Sequence, residues 1–322
     1  MSYEDQIKAI KGERPDRIPI SAWILPSAWM KHREALDEIV KRHPLIFGES
    51  ADKKDYDAVG GTYIEGEHVD VWGCVWSNLK TGMEAMVTGH PVPTREDVHS
   101  LRVPEEDAGL PHGFMYLRLA DLRGFEELMI DFAEEPPELQ MLIDKVLEYN
   151  LRQVRRRLAG IKQKGRISYF GDDLGMQQSL PISPEKWRQY LKPCFKQIYA
   201  PVKEAGHYVY MHTDGHILEI IPDLAECGVD VVNAQVGANG MEGLARACRG
   251  TVCVALDLDR QKMPFWGPAD IDAHVHEAVE TIGSPEGGLW LAAEFGDDVP
   301  LENVEAVCAA LEKYSTYFSE AQ

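Results

Sequence analysis

Long apolar runs, an excess of positive charge and paired cysteines are all missing from this 322-residue chain. No stretch approaches the roughly 20 apolar residues that a membrane helix needs. The N-terminus, MSYEDQIKAIKGERPDR, has no apolar signal core. A cytoplasmic protein with no membrane contact is the expectation. Basic residues number 33 against 53 acidic, a net charge of −20. That balance argues against a nucleic-acid footprint and disfavours a polyanionic substrate unless arginines cluster locally. The six cysteines are scattered, with no C-x-x-C pair, and read as reduced, packed thiols. No G-x-G-x-x-G follows the first apolar strand, which argues against a dinucleotide-binding open sheet. VGANGMEG, residues 236–243, lacks the strand–turn–helix setting of a phosphate loop. Linkers, short repeats and low-complexity tracts are absent too. Residues 1–322 therefore read as one domain with an irregular N-terminal segment.

What is present is an alternation of strand and helix. Short runs apolar on both faces occur at 167–172 (ISYFGD), 208–212 (YVYMH), 229–234 (VDVVNA), 252–256 (VCVAL) and 289–293 (LWLAA). That is how parallel strands covered on both sides look. Between them lie helical periods. One opens at Ser183-Pro184, with Pro193 expected to kink it. Others begin near His216 and after Pro136, Pro268 and Pro300. Residues 16–23 (DRIPISAW) suggest a first strand, and 69–75 and 114–119 are weaker candidates. The total of eight predicts a (β/α)8 TIM barrel.

Chemistry in such a barrel gathers where strands end. Here those ends carry Trp23, Asp172 and Asp173, His212 and Asp214, Asn233, Asp257 and Glu294. The opposite ends are bland, and this asymmetry points to an enzyme. Each residue also has a plainer reading. Asp172 and Asp214 could cap helices, His216 could cover a turn, and Tyr169 and Trp23 could be core or pocket wall. His212-x-Asp214 places two ligand-type side chains on one face. With Glu294 they could hold a divalent ion, or do acid–base work without one.

Several segments, in order along nearly the whole chain, carry a likeness. They are RPDRIPI, VDVWGCVW (69–76), RLADLRGFEELMIDFAEEPP, YFGDDLGMQQSLPISPEKWRQYLKP, HTDGHILEIIPDLAECGVDVVNAQ and DDVPLENVEA. Together they resemble the uroporphyrinogen decarboxylase-like superfamily. The resemblance implies a (β/α)8 barrel. It also implies either decarboxylation of a porphyrinogen or methyl transfer involving corrinoid proteins.

The decarboxylase branch carries an arginine-rich segment near its N-terminus, where this chain reads SAWILPSAWMKHRE. Asp70 matches the region of that branch's essential aspartate, and so counts as a substrate-binding candidate, but the arginines are missing. Convergence of Arg17, Arg33 and Arg118 would favour decarboxylation. The zinc-dependent thiol methyltransferases, coenzyme M enzymes included, carry His-x-Cys after this strand; here His212 is followed by Asp214. Oxygen in place of sulfur makes a harder site, suited to activating an oxygen. The resemblance therefore implies O-demethylation: methyl transfer from a small methoxylated, aromatic substrate to the cobalt(I) of a corrinoid. His212, Asp214 and Glu294 would bind zinc or protonate the leaving oxygen. Asp172 and Asp173 would orient substrate or water, with Trp23 and Tyr169 against its ring and Asn233 and Asp257 behind. The corrinoid signature D-x-H-x-x-G is incomplete at Asp272-Ala-His274-Val-His276-Glu277, so the cobalamin is expected on a separate partner protein. A homodimer is compatible with the outer helices of a barrel.

Overall fold

A computed structural model describes residues 2–49 and 54–319. Nine strands are described: β1 (Ile20–Ile24), β2 (Gly66–Val69), β3 (Val75–Asn78), β4 (Met86–Gly89), β5 (Ile167–Gly171), β6 (Tyr208–Thr213), β7 (Val231–Gln235), β8 (Cys253–Asp257) and β9 (Leu289–Phe295). The chain divides into two compact units. One takes Met1–Glu65, Lys80–Glu84 and Asn233–Gln322; the other takes Gly66–Leu79 and Ala85–Val232. Because these segments interleave, no linker composition marks the division, which is why the sequence suggests a single domain.

In the first unit β9 pairs in parallel with both β1 and β8, setting Trp23 opposite Glu294 and Asp257 opposite Ala292. The helices Pro26–Arg42, Met241–Cys248, Pro268–Ile282 and Leu301–Ser315 belong to this unit. Their buried residues follow helical spacing; Ile271, Val275, Ala278, Val279 and Ile282 are one such set.

In the second unit β5 pairs in parallel with β6, Tyr169 opposite Tyr210, Phe170 opposite Met211 and Gly171 opposite His212. Strand alternation sends the two members of each pair to one face. Phe170 turns to the helix Lys192–Glu204, where its ring meets Tyr199 at 5.0 Å; Phe114 meets Phe195 at 5.6 Å. Each such fully buried ring contributes roughly 2–3 kcal/mol. Tyr169, Gly171, Tyr210 and His212 share the other face, and the Tyr169 and Tyr210 rings lie 4.9 Å apart. Pro193 does not kink its helix as predicted. A π-helical turn, Trp187–Leu191, precedes the helix Lys192–Glu204 and leaves the proline in its first turn, where a missing N–H costs nothing.

Two of the eight expected strands are not parallel strands. Residues 69–75 form the turn of an antiparallel pair, within a sheet ordered β2-β3-β4. Residues 114–119 run into the helix Tyr116–Arg123. Apolar composition alone does not separate a short buried strand from the start of a helix. Six parallel strands remain among the described residues.

Asp70 organises that turn. Its Oδ1 accepts the Trp72 and Cys74 amides, at 2.9 and 3.0 Å. Its Oδ2 accepts the Trp76 indole N–H at 3.1 Å and the guanidinium of Arg118. Arg118 is buried. Four donors thus converge on the carboxylate that the resemblance offered for substrate binding, and they tie the β2–β3 turn to a helix. Asp70→Ala would leave the arginine buried without its close partner. It should cost roughly 3–5 kcal/mol in urea unfolding, and Asp70→Asn, which keeps an acceptor for the amides, markedly less.

Candidate active site

The loops that leave β5 and β6 are knitted together by their backbones. The Asp172 amide donates to the His212 carbonyl at 3.0 Å, and the Gly175 amide to that of Asp214 at 3.2 Å. The His216 amide donates to Met176 at 2.7 Å, and the Leu174 amide to Thr213 Oγ1 at 2.9 Å. Gly175 and Gly215 lie where these loops cross. A Cβ on Gly215 would overlap the Gly175 backbone, and Gly215 has φ +83°. Close approach and a left-handed conformation both demand glycine there.

This knot presents Asp173, His212 and Asp214. The Asp214 amide donates to Asp173 Oδ1 at 3.0 Å, and His212 Nε2 lies 3.5 Å from Asp214 Oδ1 and 3.9 Å from Asp173 Oδ1. A fourth member comes from a distant segment. His112 Nε2 sits 3.0 Å from Asp173 Oδ2, and its ring centroid is 5.4 Å from that of His212. Burial alone would lower the His112 pKa, but Asp173, with Asp172 and Asp214 nearby, overrides it and lifts the group to about 8. Burial pushes Asp173 the opposite way, and the His112 ion pair pulls it below the usual carboxylate range. The sequence reading missed His112. Its only signal was a histidine beside a glycine in an irregular loop, Pro111-His112-Gly113.

Asp172 has a different fate from its neighbour. It is fully buried, and its carboxylate accepts the amides of Met115, Tyr116 and Leu117 at 3.2, 2.5 and 2.9 Å. Burial raises its pKa to about 7 against the pull of those amides. It therefore caps the helix Tyr116–Arg123 and is not an open catalytic group. His216 turns to Glu219, 3.1 Å away. Tyr169 is half-exposed on the face that carries His212.

The remaining candidates lie in the first unit. Trp23 is 42% exposed at the end of β1. Glu294 is ion-paired with Arg260 at 2.5 Å, so a carboxylate assigned to a metal already has a cation. Asn233 is buried and donates to the Ala255 carbonyl at 2.8 Å, a tie between strands. Asp257 is buried at the end of β8.

Ligand atoms of His112, Asp173 and His212 lie within 4.8 Å of one another. Tetrahedral zinc ligands stand roughly 3.3 Å apart, so modest rotation of these side chains would let them hold an ion. The donors are nitrogen and oxygen only. All six cysteines are free and buried.

A model of the uroporphyrinogen decarboxylase (URO-D) family matches residues 119–314. The chain belongs to the uroporphyrinogen decarboxylase family. Among solved structures, this family member is similar to a methyltransferase from Methanosarcina mazei. Identity is 19%, over 96% of this chain and 98% of that one, with a TM-score of 0.65. A B12-independent methionine synthase from a Shewanella species is 13% identical over 74% of this chain and 70% of that one. Its TM-score of 0.43 is too low to bear on the argument. No curated protein matches the chain. Family and likeness together place the fold in the α/β, TIM-barrel type.

Two measurements test the geometry. The His112 pKa rises on folding from an ordinary 6.5 to about 8, so its stabilisation is complete below pH 6.5 and lost as pH climbs through 8. Asp173 falls below its ordinary 3.8, so its share is complete above that value and lost on further acidification. The pair should hold best between about pH 4 and 6.5. Imidazole NMR should show His112 titrating near 8 in the wild type, and clearly lower in Asp173→Asn. Gly215→Ala should lose roughly 3 kcal/mol or more in chemical denaturation.

Proposed function

We propose that this chain is a methyltransferase that removes the methyl group of a small methoxylated aromatic compound and delivers it to a corrinoid on a separate protein. The observation that carries the reading is the ion pair of His112 and Asp173 beside His212 and Asp214, at the ends of β5 and β6. The likeness in fold to a methyltransferase supports it. The closed Asp70–Arg118 pair weighs against a decarboxylase site built on exposed arginines.

The reaction breaks the bond between methyl carbon and oxygen. The corrinoid supplies the nucleophile that takes the methyl group. The bond's electron pair stays on oxygen, and the phenolate needs a proton. Asp173 holds Nε2 of His112 and keeps the imidazole protonated. A histidine that titrates near 8 is charged at neutral pH and is a competent general acid. The charged His112, paired with Asp173, supplies the proton for the leaving oxygen, while His212 and Asp214 orient the methoxy group. Tyr169, half-exposed on the same face, stacks on the aromatic ring.

The nitrogen–oxygen donor set of His112, Asp173 and His212 favours a second reading, in which these side chains, with Asp214 close to His212, would hold a zinc ion that would supply Lewis-acid polarisation of the leaving oxygen. The test mixes the protein, a reduced corrinoid protein and a panel of aryl methyl ethers, and follows free phenol by chromatography. The acid reading expects turnover to survive chelation, to fall as pH rises through about 8, and to drop about 100-fold or more in His112→Ala. Loss of turnover on chelation, restored by zinc, selects the metal reading. No phenol from any ether overturns the demethylase assignment.

A further inference from the structure

His112 enters the site only because β5 ends in a particular triplet, Gly171-Asp172-Asp173, whose members each hold the segment that carries it. The Gly113 amide donates to the Gly171 carbonyl at 2.8 Å. Asp172 gathers the amides of Met115, Tyr116 and Leu117. Asp173 takes the imidazole itself. Gly171 contributes something by lacking a side chain: a Cβ there would stand 2.5 Å from His112 Nδ1 and 3.3 Å from its Cε1. Carbon and nitrogen need roughly 3.4 Å or more, so the ring rests directly on the strand backbone.

The geometry points to Gly171 as a positioning residue that decides whether this site contains one histidine or two. Gly171 lies within a regular parallel strand, opposite His212. Its backbone lies outside the left-handed region that only glycine favours, so alanine fits the strand and removes glycine's entropic cost. The strand is held by its ladder, whereas the His112 side chain is half-exposed in a loop. Of the two, the ring is the one that yields. It needs to move by only about 1 Å, which is the scale at which a placed catalytic group loses its function. Any side chain at 171 would thus leave the fold intact while turning His112 away from Asp173 and His212. The catalytic consequence rests on the demethylase reading; the positional one does not.

The experiment compares wild type, Gly171→Ala, His112→Ala and the double variant. In the metal-free protein, nuclear Overhauser contacts between the His112 and His212 rings should be present in the wild type. They should weaken several-fold in Gly171→Ala, with an unchanged circular dichroism spectrum. In the demethylation assay, Gly171→Ala should lower kcat to within about threefold of His112→Ala, and the double variant should be no worse than His112→Ala alone. A ring contact of undiminished intensity in Gly171→Ala overturns the inference, and so do losses that multiply in the double variant. If no ether is demethylated, the ring contact still decides the role of Gly171 while the proposed reaction fails on its own.

Discussion

Everything at the candidate site depends on the end of β5 gripping residues 112–117. Asp172 does this with three amide hydrogen bonds inside a fully buried environment, where an unmatched carboxylate would be very costly. The same contacts start the helix Tyr116–Arg123 in the right place, since its first amides would otherwise lack acceptors. With that helix anchored, Arg118 reaches Asp70 and closes the β2–β3 turn. One buried carboxylate thereby sets the position of a helix, of a turn and of the histidine just before the helix.

Adjacent aspartates in this triplet do opposite work because strand geometry points them to different surroundings. Asp172 faces amides and stays buried. Asp173 faces two imidazoles, His112 and His212. In a chain of net charge −20, a carboxylate with a histidine partner is a way to hold a positive charge locally, and His112 holds one near neutral pH. Asp70 and Glu294 illustrate the reverse. Each meets an arginine, Arg118 and Arg260 respectively.

Parallel strands were legible wherever both faces are covered, as in YVYMH and LWLAA, because such strands must be apolar throughout. The stretch 114–119 misled because FMYLRL satisfies a buried strand and a helix start equally. Only the distant Asp172 decides between them, by capping. The pair His212 and Asp214 was legible from its i, i+2 spacing at a strand end. His112 was not, because a loop histidine 100 residues upstream of His212 carries no periodicity.

The family, the strand–helix alternation and the polar strand ends were determined by sequence alone, since each rests on local pattern or on residue identity. Tertiary structure alone decided which polar residues meet. Hydrogen-bond partners and close packing are long-range. The choice between cap, ion pair and proton donor for Asp172, Glu294 and His112 depends on the atom that faces each one across the fold.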